Sequence, residues 1–157
     1  MKVFLDSCIF FKCLDDHYYK RTVKHLQNDG HELITSITVA GEILSVCFKK
    51  DDISKLKQII DFWTDINCQI AHPPQLPEDE RHSQLRICCM CLDNAFVEEK
   101  RYGSSLTDRT HLAYAIVYDC DYFFTTGREP SALKKPRGCG HNIKVVDNDM
   151  LRRELNW

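Results

Sequence analysis

Met1-Lys2-Val3-Phe4-Leu5-Asp6 opens the chain with a short apolar run closed by a carboxylate. Val3–Leu5 has the length and composition of a buried strand, and Asp6 falls at its carboxyl end. A secretory signal needs a longer apolar region and a small-residue cleavage site, and neither follows. Further short runs recur at Glu32–Thr35, Gln69–Ala71, Tyr122–Thr125 and Ile143–Val146. Amphipathic stretches separate them. Asp16 to Gln27 has helical spacing and stops at Asn28-Asp29-Gly30. Ser36 or Thr38 caps a helix with Val39, Ile43, Val46 and Cys47 on one face. Asp51-Asp52-Ile53-Ser54 opens another, with Ile53, Leu56, Ile60 and Trp63 at helical spacing. Pro77-Glu78-Asp79-Glu80 forms an acidic first turn, followed by Leu85, Cys88, Cys89, Leu92 and Phe96. Ser105 or Thr107 caps a helix carrying Leu112, Ala115 and Ile116, and the chain closes on a helix with Met150, Leu151 and Leu155.

Short apolar strands separated by helices imply a parallel sheet covered on both faces. The strands are too few for an eight-stranded barrel. The fold class expected is α/β: a three-layer αβα sandwich around a parallel sheet of four or five strands, one domain spanning 1–157. Hydrophobic residues make up 43% and charged residues 28%, which is ordinary for a folded chain rather than a disordered one. The formal net charge of −2 speaks against a constitutive duplex-DNA binder but not against a nucleic-acid enzyme with a local basic rim. No apolar run reaches membrane-spanning length. Nine cysteines, an odd number without an export signal, suggest thiols in a reducing cytoplasm.

In open parallel sheets, ligands bind beyond the carboxyl ends of the strands. Asp6 ends the first strand, and Glu42 lies in the helix after the second. Asp108 starts the helix that leads to the fourth and can join them if that helix begins at the same edge. Clustered carboxylates repel unless a cation sits between them. Mg²⁺ or Mn²⁺ is the usual answer, and phosphodiester hydrolysis is the chemistry such a site suits. Each acid alone also has a plainer role. Asp6 could cap a turn, Glu42 could lie on a solvated face, and Asp108 could be a helix N-terminal acid.

Four segments together resemble the PIN-domain family, particularly its small VapC-like toxins. Val3-Phe4-Leu5-Asp6-Ser7 is similar to the family's first strand and first acid. Thr35-Ser36-Ile37-Thr38-Val39-Ala40-Gly41-Glu42-Ile43-Leu44 is similar to its second motif. Leu106-Thr107-Asp108-Arg109-Thr110-His111-Leu112-Ala113-Tyr114-Ala115 is similar to its third. Tyr122-Phe123-Phe124-Thr125-Thr126 is similar to the fourth strand and the hydroxyl residues after it. The ordered set covers essentially the whole chain.

The resemblance implies a Mg²⁺ or Mn²⁺ site held by Asp6, Glu42 and Asp108, endoribonuclease activity on RNA, a small antitoxin partner and a homodimer. Thr125, Thr126 and Arg128 are then the candidates for contacting substrate. Lys134, Lys135 and Arg137 extend that edge, although basic runs of this kind are more often simply solvated. One position departs from the family. Gly127 stands where a fourth acid is common, and Glu129, two residues on, is the nearest substitute. That departure supports a second reading, a PIN-like module that binds RNA or protein with little or no catalysis.

A third reading is a zinc-stabilised interaction domain. Cys88 and Cys91 have half of a zinc-site spacing, but Cys139 and His141 complete it poorly. Cys88 and Cys89 fit an apolar helix stripe better, and Cys8 and Cys13 likewise fit packing. His17, His111 and His141 are expected on the polar surface. His111, one turn after Asp108, is the histidine that merits a test.

Overall fold

A computed structural model describes residues 1–71, 80–98, 106–126 and 142–157. The strands are β1 (Lys2–Leu5), β2 (Glu32–Ser36), β3 (Gln69–Ala71), β4 (Tyr122–Phe124) and β5 (Lys144–Val146). They form one five-stranded sheet in the order β3-β2-β1-β4-β5. Every pairing is parallel, with Phe4 opposite Ile34 on one side and Phe123 on the other.

The helices are α1 (Ser7–Asp15), α2 (His17–Asn28), α3 (Ile37–Lys49), α4 (Ile53–Asp65), α5 (Glu80–Glu98), α6 (Leu106–Val117) and α7 (Asn148–Glu154). Val3, Phe4 and Leu5 are all fully buried. Successive side chains of a strand point to opposite faces, so burial of all three requires helices on both sides of the sheet. The architecture is the expected αβα sandwich. Phe4 stacks on Phe123 at 5.3 Å between ring centroids, joining β1 to β4 at the centre of the core. Among the described residues, no helix is long and apolar enough to cross a membrane.

Caps set the helix starts. Asp6, Asp16, Ser36, Asp52 and Asp147 each accept a hydrogen bond from a backbone N–H of the helix that follows. α1 fills the stretch between β1 and Asp16, for which the sequence reading places no element. The face of α4 differs from the sequence expectation. Ile59 and Phe62 are buried, whereas Ile53 and Ile60 are each 52% exposed. With Ile59 and Ile60 adjacent, the apolar pattern fits more than one face, and contact with α1 and α3 selects one. Phe10 of α1 stacks on Trp63 of α4 at 4.7 Å and holds that rotation.

Candidate metal centre

The parallel register that brings Leu5 beside Phe124 continues one residue further. The Asp6 N–H donates to the Phe124 carbonyl at 3.1 Å, and the Thr125 N–H donates to the Val146 carbonyl at 3.0 Å. Asp6 and Thr125 therefore emerge side by side at the carboxyl edge of the sheet. The Thr125 hydroxyl donates to Asp6 Oδ2 at 2.8 Å, and the Cys8 thiol donates to the same oxygen at 3.2 Å. Asp6 Oδ1 accepts from the Ser7 N–H at 2.8 Å and lies 3.0 Å from His111 Nδ1. The plainer role for Asp6, capping a turn, is thus real, but it occupies only part of one oxygen's capacity.

Asp6 is 3% exposed. Burial by itself pushes its carboxyl upward. The His111 imidazole, the Thr125 hydroxyl and the Cys8 thiol outweigh burial and hold the carboxyl below its ordinary range. The carboxylate is kept ionised inside the protein.

Glu42 reaches the same place from α3, whose start is fixed by Ser36 accepting from the Val39 N–H. Its side chain is 35% exposed, yet Oε2 itself is buried and lies 3.8 Å from His111 Nε2. Asp6, Glu42 and His111 each present one donor atom, all within 4.8 Å of one another. Asp108 is half-exposed in the first turn of α6 and does not enter that group. It lies three positions before His111, on the same helix face. Arg109 donates to Asp93 of α5 at 2.7 Å and ties down the start of α6.

His111 corrects the sequence expectation. It is fully buried, not at the surface. The stretch from His111 to Ile116 is buried all round, because α6 packs against β2, β4, α3 and α5. A signal was present in the sequence: the spacing from Asp108 puts His111 on the face of an acid already assigned to the site. Thr125 is fully buried with its hydroxyl proton directed at Asp6, while Thr126 is half-buried. Arg128, Glu129, Gly127, Lys134, Lys135, Arg137, Cys139 and His141 lie outside the described residues.

Glu42 Oε2 and His111 Nε2 are buried without a hydrogen-bond partner among the described residues. An unpaired buried polar atom costs roughly 1–3 kcal/mol. Two of them facing each other mark a place that something else completes. A carboxylate oxygen and an imidazole nitrogen share one class of partner, a divalent cation. The residues present therefore fit a metal ion.

The PIN domain family model matches residues 3–136. No curated protein matches by sequence. Solved structures that share the fold include three VapBC proteins. VapBC2 from Rickettsia felis, bound to a DNA fragment from their promoter, superposes with a TM-score of 0.71 at 14% identity, covering 94% of this chain and 98% of that one. VapBC-1 from nontypeable Haemophilus influenzae gives 0.66 at 13% identity, over 95% and 99% of the two chains. DNA-bound VapBC from Salmonella typhimurium gives 0.61 at 11% identity, over 94% and 98%. The sheet order, the convergent acids and the family match over most of its length agree: this chain belongs to the PIN domain family.

Proposed function

We propose that this chain is a metal-dependent endoribonuclease, acting as one domain and as the toxin of a VapBC-like toxin–antitoxin pair in the cytoplasm. The observation that carries the reading is the convergence of buried Asp6 and the buried Oε2 of Glu42 at the carboxyl edge of the sheet. Family membership and the fold shared with VapBC proteins support it.

In this proposal Asp6, Glu42 and Asp108 hold Mg²⁺ or Mn²⁺. A bound divalent ion activates water and neutralises charge developing on the phosphate. The chain's own residues supply the rest. Thr125 and Cys8 hold Asp6 in a fixed orientation from below. Thr126 and Arg128 contact the RNA phosphate, and Glu129 is the candidate to stand in for the acid replaced by Gly127.

The antitoxin is part of the proposal. An apolar groove between α3, α4 and β3, with Leu44, Ile60 and Ile70 exposed along it, is the kind of surface that a protein partner covers. A homodimer is proposed as the state of the toxin.

The test is incubation of purified protein with single-stranded RNA and Mn²⁺ beside Asp6→Asn and Asp108→Asn. Cleavage by the wild type alone, abolished by EDTA, is expected. Equal cleavage by wild type and Asp6→Asn would reject the site. RNA binding without any metal-dependent cleavage would favour the non-catalytic module suggested by Gly127.

A further inference from the structure

The Asp6 carboxylate already receives four donors among the described residues: the Ser7 N–H, His111 Nδ1, the Thr125 hydroxyl and the Cys8 thiol. Both of its oxygens are therefore already hydrogen-bonded, and Asp6 Oδ2 takes the ion in the proposed site only by giving up the Thr125 or the Cys8 bond. The donor atoms left unpaired are Glu42 Oε2 and His111 Nε2. They face each other at 3.8 Å. Two donors each about 2.1 Å from a shared ion can span such a gap.

The imidazole also has the arrangement of a ligand. Metal-bound histidines hand their second ring N–H to a carboxylate, which fixes the tautomer and raises the basicity of the coordinating nitrogen. His111 presents Nδ1 to Asp6 Oδ1 at 3.0 Å and points Nε2 at the gap. The ring is fully buried and cannot turn to water for a partner. The plainer role, a core histidine braced by one hydrogen bond, leaves the orphaned Nε2 unexplained.

We propose that His111 Nε2 is a direct ligand of the metal, paired with Glu42 Oε2 and buttressed by Asp6, and that this nitrogen selects Mn²⁺ over Mg²⁺. Mg²⁺ holds to oxygen ligands in near-ideal octahedral geometry, whereas imidazole suits first-row transition ions. The inference rests on the metal-site reading above and adds a ligand and a selectivity that the three acids do not supply.

The experiment is pulsed electron paramagnetic resonance on the Mn²⁺-loaded full chain, with ¹⁵N-histidine labelling, together with calorimetric Mn²⁺ and Mg²⁺ titrations. The expected result is the hyperfine coupling of a directly bound imidazole nitrogen that changes on ¹⁵N labelling. In His111→Gln it disappears, with Mn²⁺ affinity falling roughly 10–100-fold and Mg²⁺ affinity changing much less. If His111→Gln fails to fold, His111→Asn takes its place, because the chain has seven histidines and labelling alone does not say which of them binds. Bound Mn²⁺ without nitrogen coupling overturns the ligand assignment and leaves the metal-nuclease reading standing. Absence of any bound Mn²⁺ overturns both.

Discussion

The Thr125 hydroxyl donates to Asp6 Oδ2 at 2.8 Å across the seam between β1 and β4. Both side chains are closed from solvent, and the backbone register alone brings them together. Replacing Thr125 by Val removes a donor from a buried anion while keeping shape. We expect a loss of about 1–3 kcal/mol in denaturant unfolding, with Thr125→Ser recovering most of it. Equal stabilities for the Val and Ser variants would show that the hydroxyl contributes nothing to holding Asp6.

Asp6 and Glu42 differ in the metal-free protein. Every oxygen of Asp6 is hydrogen-bonded, whereas Glu42 Oε2 has no partner among the described residues. Asp6→Asn puts an amide donor against existing donors, while Asn still caps α1. Glu42→Gln replaces an oxygen without a hydrogen-bond partner among the described residues by an amide that can donate to His111 Nε2. Urea midpoints in EDTA should fall for Asp6→Asn and stay level or rise for Glu42→Gln. Calorimetry should show both variants with weakened Mn²⁺ binding. A Glu42→Gln protein as destabilised as Asp6→Asn would contradict the unpaired state of Glu42.

Burial pushes the thiols of Cys13 and Cys120 up from 9.0 to about 12. A raised folded value means that the protonated thiol is favoured by the fold. The associated stability is complete below pH 9 and is lost as pH rises from 9 towards 12. The slope is about 1.4 kcal/mol per pH unit for each thiol. Unfolding free energy should therefore drop more steeply above pH 9 in the wild type than in Cys13→Ala/Cys120→Ala. Parallel alkaline profiles for the two proteins would mean that these thiols are not shielded as described.

The cysteines also separate by exposure. Cys91 is exposed on α5, while Cys13, Cys47, Cys68, Cys88 and Cys120 are buried. Brief iodoacetamide treatment at pH 8 and peptide mass spectrometry should find Cys91 modified and Cys13, Cys68 and Cys120 protected until denaturant is added. Early modification of Cys68 would contradict its place in the core. Metal analysis of the same untagged sample, showing no stoichiometric zinc, would close the zinc-domain reading of Cys88 and Cys91.

Much of this protein was legible in its sequence, for physical reasons that act locally. Val3–Leu5 is uniformly apolar because a central parallel strand is covered on both faces. Asp16, Ser36 and Asp52 mark helix starts because capping needs only a side-chain oxygen and the next turn of backbone. The carboxyl-edge rule then drew attention to Asp6 and Glu42 without any contact being known. Apolar spacing points to the face of Ile53 and Ile60, and the structure buries Ile59 and Phe62 instead, since the adjacent Ile59 satisfies a helical period equally well. That choice belongs to the packing of α4 on α1 and α3.

The site shows the same division. The residue types and their order follow from the sequence: an acid after β1, an acid in α3, and an acid and a histidine one turn apart in α6. Which donors meet is a matter of tertiary structure, because hydrogen bonds between residues more than a hundred positions apart leave no periodicity to read. Only the fold buries His111, turns Nδ1 to Asp6 and Nε2 to Glu42, and leaves Asp108 outside the 4.8 Å group. Only the β1–β4 register hands the Thr125 hydroxyl to Asp6.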